Sequence, residues 1–181
     1  MKVEKSLAIL VLLSLVLYYS DVEEGGPFSV LTISTLSLLY FPGGFYFLAD
    51  GELKNQNLFL SIVSGIIASL VMLVLLFKTT FWPGDQPMFM VSCVLVPSVT
   101  VLIWWMSLKS KDEMVGYYKA MKIRFVIFTL LTFLMYMVPT ENLIQFRFRN
   151  QPREGELATK RYQGTITPDE EVELKSLWQK K

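Results

Sequence analysis

The stretch Asn57-Leu58-Phe59-Leu60-Ser61-Ile62-Val63-Ser64-Gly65-Ile66-Ile67-Ala68-Ser69-Leu70-Val71-Met72-Leu73-Val74-Leu75-Leu76-Phe77 contains no charged residue. A hydrocarbon core is about 30 Å thick and a helix rises about 1.5 Å per residue, so roughly 20 apolar residues are needed to cross it. Fourteen residues of this stretch are Leu, Ile, Val or Phe. Each favours insertion by about 0.3–0.6 kcal/mol at the centre of a spanning helix, which outweighs the few hydroxyls. The stretch therefore reads as a transmembrane helix.

Four further segments come close to the same standard. They are residues 6–20, 27–49, 88–108 and 121–138, the last closed by Pro139. The segment 6–20 is short unless Val3 to Lys5 also enter the bilayer and Lys5 snorkels outward. Lys2 and Lys5 before an apolar run also describe a signal peptide, but Tyr18-Tyr19-Ser20-Asp21 offers no small-residue cleavage site, which favours a retained helix. The expected fold is all-α, a multi-pass membrane helical bundle of about five spans within residues 1–139. A polar tail follows over residues 140–181.

Composition agrees with this pattern. Hydrophobic residues make up 52% and charged residues 18%, and the mean hydropathy is +0.43. Charge gathers in the first five residues, in connectors and after Thr140, which is a membrane pattern. The net charge of +1 supplies no field that would draw the chain to nucleic acid. The single cysteine, Cys93, cannot form an internal disulfide. Histidine is absent, which removes the commonest metal ligand and general base. No Walker or Rossmann glycine loop occurs. No metal, no cofactor and no enzyme activity are expected. The carboxylates open to catalysis are the loop residues Asp21, Glu23, Glu24 and Asp85.

Amphipathic rings favour the membrane–water boundary. Tyr18, Tyr19, Trp82, Trp104, Trp105, Tyr117 and Tyr118 flank the spans and read as headgroup anchors. Lys and Arg in short loops set orientation. With five spans, Lys2, Lys5, Lys54, Lys109, Lys111, Lys119, Lys122 and Arg124 share one side, against Lys78 on the other. This makes the N-terminus cytoplasmic. It also places the tail outside, against the pull of Arg147, Arg149 and Arg153 just after the fifth span.

The spans group as two hairpins, aligned at Pro27 and Pro87, plus a fifth helix. Packing between spans calls for small residues, because lipid tails are as apolar as leucine. Ser61, Gly65 and Ser69 form such a stripe, four residues apart. Thr32 and Thr35 lie in a hydroxyl-rich part of the second span. Pro42-Gly43-Gly44 is expected to interrupt that span, and Pro97 to kink the fourth. Such breaks mark binding sites in some transporters, although these two do not coincide under the hairpin alignment. No Asp, Glu, Lys or Arg lies in the middle of a span, which argues against a pump, a proton-driven transporter or a charged channel.

Leu75-Leu76-Phe77-Lys78-Thr79-Thr80-Phe81-Trp82-Pro83-Gly84-Asp85, followed by an apolar helix, resembles the membrane hairpin of the GldL family of gliding-motility proteins. The shared elements are an apolar helix, a lysine, a Trp-Pro-Gly turn at Trp82, Pro83 and Gly84, and a second helix. The resemblance covers residues 71–105. Thr140-Glu141-Asn142-Leu143-Ile144 and Arg149-Asn150-Gln151-Pro152 also look like a pattern in small membrane proteins of the same bacteria. The resemblance implies a shared hairpin in a bacterial inner membrane. That family's second helix carries a glutamate implicated in proton use. Val96 and Pro97 stand near the matching place, so the resemblance does not carry motor function.

In the tail, Gln151 to Gly164 reads as an exposed loop, with Arg147, Arg149 and Arg153 as headgroup contacts. Thr167-Pro168-Asp169-Glu170-Glu171 starts a short amphipathic helix over 168–180. Thr167 caps it, and the acids suit the positive end of the helix dipole. Its face of Leu174, Leu177 and Trp178 is expected to rest on the membrane or on a partner. The leading functional expectation is a non-enzymatic scaffold or subunit of a membrane assembly, related to gliding-motility components but without an intramembrane carboxylate. The partners expected are the lipid bilayer and another membrane protein or a second copy. The alternative is a transporter or binding protein for a neutral or lipid-like ligand.

Overall fold

The computed structural model describes residues 2–20, 25–47, 57–83, 85–110 and 112–179, with only the backbone for residues 2, 3, 42, 45–47 and 179. Among these residues the fold is all-α. Five long helices come first: α1 (Lys2–Tyr19), α2 (Gly25–Phe47), α3 (Leu58–Thr79), α4 (Asp85–Leu108) and α5 (Val115–Met137). A short 3-10 turn, Asp112–Met114, leads into α5. Three shorter helices follow: α6 (Thr140–Arg147), α7 (Pro152–Tyr162) and α8 (Pro168–Gln179). Asp21, Glu23, Glu24, Lys54, Gly84, Lys111, Lys180 and Lys181 lie outside the described residues.

Among the described residues, three helices are long and apolar enough to cross a membrane: α3, α4, and α5 with its leading 3-10 turn. The first turns of α1 carry Lys2, Glu4 and Lys5, and the apolar run described in α2 is shorter, Gly25–Phe41. The bundle is apolar on its outer faces as well as inside. Ile9, Leu12 and Val16 of α1, Val94 and Val101 of α4, and Leu130 and Phe133 of α5 all point outward. Exposed apolar area on this scale marks a surface that meets something other than water.

Successive long helices run antiparallel. The most extensive pairings are α2 with α3 and then α4 with α5, while α3 and α4 touch less. The packing units therefore differ from the sequence hairpins, since the tightest pair joins α2 to α3. The reason is backbone proximity. A Cβ on Gly65 would stand 2.7 Å from the Cα of Gly44 and 2.8 Å from the carbonyl of Tyr40. Only glycine permits so close a crossing. The sequence expectation of a break at Pro42-Gly43-Gly44 is corrected here: α2 continues through these residues to Phe47. Gly44 serves the crossing instead, and the side chain of Pro42 lies outside the described residues.

Tyr117 and Tyr118 are also corrected. They are buried in the core instead of anchoring at a headgroup. Trp82, Trp104 and Trp105 are exposed.

The segment expected as a loop, Gln151 to Gly164, is largely helix α7, with Pro152 in its first turn. Proline suits that position because its missing N–H would have no helical partner there. Gly164, at φ +70°, ends the run. α8 begins with a reciprocal capping box: the Thr167 N–H donates to Glu170 Oε2 at 3.0 Å, and the Glu170 N–H donates to Thr167 Oγ1 at 3.4 Å. α8 packs on α7 and buries Leu174. Of the face Leu174, Leu177 and Trp178, Leu174 is thus buried within the chain, while Trp178 stays exposed. Arg153 bonds Glu173 and Glu156, with its side chain half exposed. Arg147 stands over the Tyr18 ring at 4.9 Å and Arg149 over Phe146 at 5.0 Å.

Candidate functional site

Two polar clusters stand at opposite ends of the bundle. The first lies where α3, α4, α5 and the tail meet. Asp85 opens α4 and is 1% exposed. Thr140 donates a hydrogen bond to its Oδ2 at 2.8 Å, and Tyr162 donates to its Oδ1 at 2.8 Å. A carboxylate so placed gains from the α4 dipole and from two hydroxyl donors, which offset the cost of burial. Lys78, in the last turn of α3, is also buried. Its ammonium donates to the carbonyl of Val138 at 2.5 Å and to that of Met135, and stands 4.7 Å from the centre of the Phe89 ring. It thereby satisfies carbonyls that the end of α5 leaves without helical partners.

Tyr162 has its pKa raised, chiefly by burial. It therefore stays a hydroxyl donor at neutral pH. A cavity of about 400 Å³ opens beside this cluster, with Gln86, Tyr136 and Glu141 on its walls.

Phe81 completes this end. It adopts φ 55°, a left-handed conformation that bulky side chains rarely take. Its ring is buried with Ile144, Phe148 and Ala158, against Tyr18 and Tyr162. The helices α6–α8 thus form a cap seated on the α3–α4 turn and on the end of α1.

The second cluster lies at the other end. Arg124, in the third turn of α5, donates to Glu4 Oε2 at 2.8 Å and to Glu4 Oε1 at 3.0 Å. Tyr40 of α2 donates to the same Oε1 at 2.9 Å. The fork-to-fork geometry is the strong form of this pair. Both side chains are nearly buried, at 13% and 11% exposure. Arg124, grouped with the connector in the sequence, is therefore part of the bundle. A cavity of about 380 Å³ lies between α1 and α5 beside this pair, its walls formed by Ala8, Tyr40, Ile123, Ile127 and Phe128.

The residues singled out in the sequence fall as follows. Ser61 shares a hydrogen bond with the Tyr117 hydroxyl at 2.7 Å. Gly65 crosses Gly44. Ser69 shares one with Ser37 at 2.9 Å. The stripe thus faces α2 and α5. Thr32 shares a hydrogen bond with Ser14 of α1 at 2.9 Å, while Thr35 bonds back to the Leu31 carbonyl. Pro97 lies inside α4 with the helix continuing past it. Trp82 and Pro83 form the turn, where the Trp82 ring meets Phe77 edge-on at 5.3 Å. Thr32, Thr35, Gly43 and Pro97 are not gathered at either polar cluster.

Glu4, Tyr40, Asp85, Thr140 and Tyr162 escaped the sequence reading as partners because they meet across long separations. Among the described residues, no group of three or more His, Cys, Asp or Glu could hold a metal ion. No family model, no curated protein and no solved structure matches the chain.

Proposed function

We propose that the chain is a non-enzymatic membrane protein of five spans, a structural subunit of a membrane assembly, with the α6–α8 cap as its docking platform. The observation that carries this reading is the buried Asp85 carboxylate, which ties Thr140 and Tyr162 to the start of α4. It makes a cap and a bundle into one body. The charges at both ends of the bundle are likewise engaged in internal fastening: Lys78 on the carbonyls of α5, Glu4 on Arg124.

In this reading α1 and α2 cross together with α3, α4 and α5. The N-terminus and the Lys109-to-Arg124 region face the cytoplasm of a bacterial cell, and the cap faces away from it. The likeness of α3–α4 to the GldL hairpin supports a subunit role and no motor role. Near the place of that family's glutamate stand Pro97 and Val96, and Val96 is fully buried.

The test is affinity purification from native membranes in mild detergent, with mass spectrometry of what stays bound. A stoichiometric protein partner is expected, and its loss from Asp85→Ala is the result that ties it to the cap. A protein that purifies alone defeats the reading. The second reading, a binder of a lipid-like ligand, is favoured by the cavity between α1 and α5.

A further inference from the structure

We infer that the groove between α1 and α5 seats part of one acyl chain of an anionic phospholipid whose remainder lies in the bilayer and whose phosphate sits beside Lys5. The inference rests on the membrane placement proposed above and not on the subunit role. α1 packs mainly on α2, and α5 mainly on α4. The two helices are bridged by the Glu4–Arg124 pair, which leaves a cavity of about 380 Å³ beside it. That size falls within the roughly 300–1,000 Å³ of small-molecule sites.

The walls are apolar where an acyl chain would lie: Ala8 of α1, Ile123, Ile127 and Phe128 of α5, with Tyr40 of α2 as the third element. Charge decides the class of headgroup. Glu4 is neutralised by Arg124 and accepts from Tyr40, so its carboxylate does not repel an anion. Lys5 lines the same cavity and is exposed. Lys119 is also exposed and stands one helical turn before Ile123, on the same stripe of α5. Lys5 on the lining of an apolar groove, with Lys119 one turn from Ile123 on α5, matches a phosphate carrying net negative charge, as basic sites between spans do for anionic headgroups. A zwitterionic headgroup would bring a cation against them.

The experiment begins with carbonate-washed membranes. The full chain is then purified in mild detergent, exposed to equal phosphatidylglycerol and phosphatidylcholine, and weighed intact by native mass spectrometry. One retained phosphatidylglycerol is expected, at a several-fold preference over phosphatidylcholine. Lys5→Glu combined with Lys119→Glu alters exposed positions and is expected to abolish that preference. Ala8→Trp fills the groove and is expected to release lipid of either class, with Ala8→Leu as the milder version should helicity fall. Equal retention of the two lipids overturns the inference, as does undiminished lipid on both Ala8 variants. A chain that washes off in carbonate defeats the membrane placement as well. A chain that stays in the membrane without the preference defeats the lipid site alone.

Discussion

Asp85 and Tyr162, separated by 77 positions, are joined by a hydrogen bond of 2.8 Å from the tyrosine hydroxyl to a buried carboxylate. Thr140 supplies the second donor to the same group. A hydrogen bond to a charged group contributes about 1.5–3 kcal/mol. Asp85→Ala is therefore expected to destabilise the seating of the cap by about 3 kcal/mol, and Tyr162→Phe by about half as much. Limited trypsin digestion checks this. Cleavage at Lys160 and Arg161 is expected to accelerate strongly in Asp85→Ala and modestly in Tyr162→Phe, and unchanged rates would refute the fastening role.

The crossing of α2 and α3 gives a contrast between glycines. A Cβ at position 65 meets backbone atoms at 2.7 and 2.8 Å, whereas at Gly116 nothing lies within 4 Å. Backbone cannot swing aside as a flexible side chain does, so Gly65→Ala is expected to cost about 1–3 kcal/mol. Gly116→Ala is expected to be neutral or slightly stabilising, given the better helix propensity of alanine. Thermal unfolding of both variants in detergent decides it, and equal midpoints would contradict the close crossing.

The Glu4–Arg124 pair lies where water is largely excluded. Removing one partner of a buried pair leaves an uncompensated charge and typically costs about 3–5 kcal/mol, while replacing both with apolar residues is often neutral. Arg124→Leu is expected to lower the unfolding temperature clearly. Glu4→Leu with Arg124→Leu is expected to recover most of the loss. A double variant no better than the single one would argue against direct coupling.

The α7–α8 hairpin carries a pH dependence of definite sign. Glu170 is held down to about 2, first by the hydrogen bond from Lys160 and then by the Thr167 N–H. Glu156 is lowered by Lys160 and Arg153, and Glu173 by Arg153. Each acid has a lower pKa folded than unfolded. Each contribution is whole above about 4.3, the unfolded value, and is lost as pH falls through the lowered folded value, about 2 for Glu170. Hydrogen exchange of α8 amides, corrected for intrinsic rates, is expected to stay constant from about pH 5 to 8 and to accelerate below about 4. A flat profile down to pH 2 would mean that the ion pairs contribute nothing there.

α3 was legible because length and hydropathy act locally: residues 57–77 carry an apolar run long enough to cross a membrane, and that run forms one helix. The start of α8 was legible for the same reason, since Thr167, Pro168 and Glu170 cap within one turn. α7 was not. Its buried apolar side chains are Leu157 and Ala158, too few to show a period, and ion pairs to α8 support its other face. The polar clusters were hidden because Glu4 meets Arg124 across 120 positions and Asp85 meets Thr140 across 55. Charge near a span reads locally as a boundary, and a partner that far along the chain leaves no mark nearby.

Phe81 holds a left-handed backbone conformation whose ring is sheltered by Phe148, Ile144 and Ala158. Those shelterers are made after all five long helices. While the ribosome is still at work on the tail, the turn between α3 and α4 has neither its hydrophobic cover nor the hydroxyls that bind Asp85. A stretch synthesised later, residues 140–162, therefore settles a bend laid down earlier in the chain, and the bundle cannot reach its final form until that stretch has been made.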